Sequence, residues 1–152
     1  MSLIDLRNDL EKKMLELGAD SFLYWDVGAF IFSGDETNVS ISGKHYVTAN
    51  KTIQNNDIIT IDLSPQNNNV WGDYARTIII ENGIVVDCVG NIENEEWKKG
   101  LQMEDRLHQE LLKYVTVEIT FEDLYFHMNH LIKEYGFINL DFLGNLGHSI
   151  VN

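Results

Sequence analysis

Two β-branched, apolar runs limit what this chain can become more than any other feature. The first is Ile58-Ile59-Thr60-Ile61-Asp62-Leu63; the second is Asp73-Tyr74-Ala75-Arg76-Thr77-Ile78-Ile79-Ile80. Isoleucine and threonine are stiff at χ1 and suit a pleated surface, so both runs predict strands. Ten residues separate Asp62 from Asp73, and the link is rich in Asn, Ser, Pro and Gly. If the runs pair as an antiparallel hairpin, Asp62 can lie directly opposite Asp73, with Cβ atoms about 4.5–5.5 Å apart. Carboxylates that close, with no cation between them, repel, and one stays protonated. Two metal ions about 3.5–4 Å apart would resolve that conflict. The pair therefore points to a metal.

The rest of the chain supplies helices around a meander. Leu3, Leu6, Leu10, Met14 and Leu17 recur at helical spacing over residues 3–17, and Gly18 stops the helix. Residues 21–33 are aromatic and β-branched and predict one or two strands. The polar stretch 34–56 reads as loop with short strand segments around Val39–Ile41 and His45–Val47. Asn82-Gly83 is the strongest hairpin signal and leads to a third strand over 84–89. Residues 93–114 predict a helix, and Thr120 to Asp123 resembles a capping box opening another helix that Gly136 ends. The tail from Phe137 is apolar and glycine-punctuated.

Composition excludes several functions. The chain has 152 residues, 11 basic against 24 acidic, and a net charge of −13. That sign opposes a nucleic-acid partner, which needs a basic footprint, and an anionic membrane surface. No stretch is long and apolar enough to span a bilayer, and the N-terminus lacks a signal-peptide core. A cytoplasmic protein is expected. The lone cysteine, Cys88, lies in an apolar run and reads as a small buried hydrophobe. His127 and His130 stand three apart on a predicted helix, but with no third convergent ligand they read as a solvated or semi-buried face.

The segment Ile61-Asp62-Leu63, with Gly72-Asp73-Tyr74-Ala75-Arg76-Thr77, resembles the paired-aspartate segment of the pita-bread metallopeptidases. These include Xaa-Pro aminopeptidases, Xaa-Pro dipeptidases (prolidases) and methionine aminopeptidases. Leu146-Gly147-His148-Ser149-Ile150 is similar to the family's Gly-His segment, and Gly144 and Gly147 suit a close backbone approach to the site. His45-Tyr46, with His45 17 residues before Asp62, resembles a step that carries a substrate-contacting histidine. The resemblance implies an α+β, creatinase/aminopeptidase-like pita-bread fold. An antiparallel sheet is covered by helices, and the second half is incomplete.

The resemblance further implies that Asp62, Asp73 and His148 are metal ligands and that His45 steadies the substrate. Two divalent ions (Mn, Co, Zn or Fe) would activate a water against a short peptide with a free N-terminus. His45 as a surface-loop histidine stays open, because Ser42-Gly43-Lys44 gives it no apolar lead-in. Trp71 either walls a pocket or packs a turn. The family also needs two glutamates after the histidine motif, and none follows His148.

Residues 1–152 therefore read as one metallopeptidase catalytic domain missing its final strands, and the chain alone as inactive. Missing strands would expose apolar surface around Phe137–Leu146 and invite self-association, with a homodimer one outcome. The alternative is a catalytically silent pita-bread domain that binds peptides or proteins. Substitution at the ligand positions would favour it, and here those positions are intact.

Overall fold

The computed structural model describes residues 1–141 and 144–147. They fall into two compact units, Met1–Ile92 and the described residues from Glu93 onward.

In the first unit, helix α1 (Leu3–Glu16) begins at a capping box. Asp5 N donates to Ser2 Oγ at 3.0 Å, while Ser2 N donates to Asp5 Oδ2 at 3.1 Å. Two donors that the helix cannot satisfy internally are thereby paired. The helix ends at Leu17, and Gly18 follows at φ 108°, a conformation that costs glycine least. Leu3 and Met14 bury against Ala29, Ile31 and Ile59, with Leu6 and Leu10 packed beside them. Each such aliphatic side chain contributes about 1.5–3 kcal/mol when fully buried.

Seven strands follow: β1 (Ser21–Phe22), β2 (Ala29–Ser33), β3 (Asp57–Leu63), β4 (Pro65–Asn67), β5 (Val70–Trp71), β6 (Tyr74–Glu81) and β7 (Ile84–Val85). A four-stranded antiparallel sheet runs β2-β3-β6-β7, and a small one runs β1-β4-β5. Asn82 (φ 55°) and Gly83 (φ 77°) turn β6 into β7 as the hairpin signal predicts. Gly83 N donates to Asn55 O at 2.8 Å and holds that turn. At the start of β3, buried Asp57 accepts from Ser33 Oγ (2.8 Å) and from Gln54 N (3.0 Å).

The register corrects one expectation. Asp62 lies opposite Ala75, not Asp73, and Leu63 lies opposite Tyr74. The link does not simply loop back. Asn68 and Asn69, both at positive φ (50° and 64°), turn β4 into β5, and Gly72 N closes on Pro65 O at 2.8 Å. This inner hairpin sets Asp73 just before β6.

Three further expectations fail. The third strand shrinks to Ile84–Val85, at the sheet edge, and only Val86 N continues the ladder, to Ile79 O at 2.9 Å. Cys88 lies past that edge and is exposed, not buried. No strand forms at Val39–Ile41 or His45–Val47; the segment instead makes 3-10 turns at Gly34–Asn38 and Gly43–His45. Its contact with β2 runs through a side chain. Tyr46 Oη accepts from Ile31 N (2.7 Å) and donates to Ile31 O (3.0 Å), taking the place of a ladder partner.

The second unit holds α2 (Glu95–Tyr114) and α3 (Phe121–Glu134). Asn94 caps α2, and Thr120 with Asp123 forms the predicted capping box of α3. The two helices meet where His127 stacks on Tyr114, centroids 3.8 Å apart, with Nε2 2.9 Å from Glu110 Oε1. Beyond Gly136 (φ 79°), the side-chain amide of Asn139 donates to Asn129 Oδ1 (3.1 Å) and Gly144 O (2.8 Å), pinning the tail to α3. Ile138, Leu140 and Leu146 are exposed. Among the described residues no helix is long and apolar enough to cross a membrane.

Candidate metal centre

Side chains alternate across a strand, so β3 sorts its residues onto two faces. Ile59 and Ile61 point to α1 together with Ala29 and Ile31. Asp62 points the other way. Its register partners are Phe30 on β2 and Ala75 on β6. Thr60 and Thr77, paired to each other, share that face. Asp73 stands two residues before Ala75, just ahead of β6. Asp73 is exposed, whereas one Asp62 oxygen, Oδ1, is fully buried.

A tyrosine joins the pair. Burial pushes the Tyr24 phenol above its ordinary value of 10.0, and the negative charges of Asp73 and then Asp62 push it further. Both carboxylates therefore lie near one phenol ring. That ring also packs edge-on against Phe30, the partner of Asp62, at 6.0 Å and 73°. Tyr24 owes its place to a break between β1 and β2. Trp25 (φ 57°) and Asp26 (φ 62°) both adopt left-handed backbone within the turn Tyr24–Asp26. Aspartate tolerates this conformation, but a bulky residue such as tryptophan is strained in it. Sequence reasoning read the segment only as strand and missed Tyr24, because no residue type there announces a left-handed turn.

His45 belongs to a turn whose first residue packs against Tyr24 and Phe30. Its 3-10 turn starts at Gly43, where a Cβ would come within 2.5 Å of Tyr24 O and 3.1 Å of Phe30 Cζ. Only glycine fits that approach. His45 itself is exposed. Arg76, by contrast, points with Ile61 to the opposite face and lays its guanidinium over Tyr74 at 4.1 Å.

His148 lies outside the described residues. Gly144 (φ 72°) makes its close approach to α3: a Cβ there would lie 2.9 Å from Tyr125 Oη. Gly147 has open space around it. His127 is held by Tyr114 and Glu110, and His130 is exposed near Glu134, so neither converges on a metal. Trp71 pairs with Gln66 in β5 and is partly buried.

The carboxylates suit a divalent cation. Carboxylates are hard oxygen ligands that such ions accept readily. Among the described residues no three His, Cys, Asp or Glu side chains gather closely enough to hold a metal. The described part thus offers a pair, not a shell.

The sequence model of metallopeptidase family M24 matches residues 1–151. The chain belongs to metallopeptidase family M24. Two solved structures share the fold of this family member. One is the X-Pro aminopeptidase from Thermotoga maritima MSB8, with 20% identity and a TM-score of 0.70, covering 90% of this chain and 34% of that one. The other is a recombinant prolidase from Thermococcus sibiricus, with 19% identity and a TM-score of 0.68, covering 89% of this chain and 32% of that one. No curated protein matches the sequence significantly. The architecture is that of the pita-bread peptidases, and the chain spans about a third of the length of these two structures.

Proposed function

We propose that this M24 chain carries part of the centre of a metal-dependent exopeptidase of the Xaa-Pro dipeptidase or aminopeptidase kind, acting on short peptides. The observation that supports the reading is that Asp62 on β3 and Asp73, just ahead of its partner strand β6, both act on the phenol of Tyr24. In this reading Asp62 and Asp73 hold metal, and His148 adds an imidazole. Two bound divalent ions would supply a nucleophilic water and polarise the scissile carbonyl near neutral pH. The carboxylate and imidazole donors suit Mn, Fe, Co or Zn.

The protein's own residues divide the remaining work. Ala75, directly opposite Asp62, contributes only a methyl group beside the carboxylate. Tyr24 stays protonated across the physiological range and can present a hydrogen-bond donor to the carboxylates. In this reading His45, exposed in the turn that begins at Gly43, would contact the peptide. Preference for proline is supported by the names of the two similar structures, an X-Pro aminopeptidase and a prolidase.

The test is a calorimetric titration with Mn of the chain and its Asp73→Asn variant. Loss of one carboxylate ligand should weaken binding at least about tenfold, the order seen when a partner in a metal site is removed. An unchanged affinity would sink the assignment.

A further inference from the structure

We propose that Tyr46 is the positioning residue for His45, its hydroxyl fixing the His45 turn to the open edge of β2. This rests on the reading of His45 as the substrate-contacting residue. Among the described residues β2 is an outer strand of its sheet, and an outer strand presents unpaired N–H and C=O groups. At Ile31 one phenol satisfies both. Ile31 N donates to Tyr46 Oη at 2.7 Å, and Tyr46 Oη donates to Ile31 O at 3.0 Å. Thr48 Oγ1 donates to the same oxygen at 3.2 Å. With one proton and two lone pairs, the hydroxyl is then saturated.

The ring is held as firmly as the hydroxyl. Tyr46 is buried between Phe30 (4.8 Å) and Phe32 (5.5 Å), with the Arg7 guanidinium 5.7 Å from its ring centre. Arg7 is itself held from α1. Its Nε donates to Glu11 Oε1 at 2.7 Å, and its Nη1 donates to Thr48 Oγ1 at 3.3 Å. The same Glu11 oxygen accepts Gly28 N at 2.9 Å, at the start of β2. Helix, strand edge and tyrosine form one polar network.

The consequence falls on His45. The turn Gly43–His45 is held at two points: Gly43 wedged against Tyr24 and Phe30, and Tyr46 hooked onto Ile31. Lys44 and His45 are the exposed residues between them. Phe30 belongs to both ends of the arrangement, being register partner of Asp62 and ring partner of Tyr46. The distance from His45 to the carboxylate pair is therefore set through Tyr46, not through His45's own contacts.

Tyr46→Phe keeps the ring and removes only the hydroxyl. Backbone heteronuclear NOEs read the order of Lys44 and His45 without metal. They should fall in the variant, while those of Ile59 and Ile78 stay unchanged and the Ile31 amide exchanges at least about tenfold faster. With Mn added, broadening of the His45 amide should diminish while that of Ala75, beside Asp62, persists. Faster Ile31 exchange or a lower melting point, with Lys44 and His45 as ordered as before, would overturn the proposal and leave Tyr46 a purely structural residue. Absence of Mn broadening at Ala75 in the unmodified chain would count against the metal reading alone, and the metal-free NOEs would still decide the role of Tyr46. If Tyr46→Phe does not fold, Thr48→Val removes one of the three bonds to the hydroxyl. A smaller change in the same direction supports the proposal, and no change at Lys44 and His45 refutes it.

Discussion

Tyr24 makes the charge of the carboxylate pair measurable. Its phenol is neutral when protonated, so burial and the nearby Asp73 and Asp62 all oppose its ionisation. The folded value is raised, so the phenol's contribution to stability is fully present below its unfolded value of about 10 and is lost as pH rises through the folded value. Replacing Asp73 by Asn removes the second cause and leaves the first, burial. The titration of Tyr24 should move down towards 10.0 without reaching it. Tyrosinate absorbance of each protein, with the matching Tyr24→Phe protein subtracted, measures this directly. Identical titrations in the two proteins would mean that Asp73 does not stand where the sheet register puts it. Asp62 and Asp73 themselves were legible in the sequence, because strand-forming runs flank both. Tyr24 was not, because its position depends on left-handed backbone at Trp25, which tryptophan does not favour.

Elements were read well where a local pattern has one physical solution. Ser2 with Asp5, and Thr120 with Asp123, pair donors that any helix start leaves over, and both helices begin there. These hydrogen bonds hold the Asp5 and Asp123 carboxyls below the ordinary 3.8. Their contribution is present above the unfolded value of about 3.9 and is lost as pH falls through the lower folded values. Thr120→Ala should lower the melting midpoint by about 2–4 °C at pH 7, and by less at pH 3. Thermal melts followed by circular dichroism at the two pH values check it; an equal loss at both would show that the carboxylate plays no part. Strand register was harder to read. Sliding β6 by two residues against β3 returns every side chain to its own face, so apolar alternation serves both registers equally. The inner β4–β5 hairpin decides between them, and its two asparagine turn residues were visible only as generic loop formers. The end of β7 failed for a different reason. Apolar residues at 84–89 look buried by composition, yet an edge strand needs a cover that its own sequence cannot declare.

At the scale of the molecule, the proposed centre draws on distant parts of the sequence. Asp62 lies on β3, Asp73 just ahead of β6, and the proposed third ligand, His148, 75 positions after Asp73. Among the described residues no third ligand-type side chain joins the two aspartates. A dinuclear centre needs both ions fixed in geometry and partly desolvated before a water becomes nucleophilic. Two carboxylates and one imidazole are too few donors to fix two ions against exchange with solvent. The chain spans about a third of the length of the two peptidase structures it resembles. We expect the 152-residue protein to bind Mn through Asp73 and to hydrolyse no short Xaa-Pro peptide above the uncatalysed rate. The measurement is release of proline from such peptides, with and without Mn, on a preparation whose intact mass matches the sequence. Turnover that requires metal and disappears in Asp73→Asn would overturn this. It would mean that the three candidate ligands suffice, or that two copies of the chain complete each other's centre.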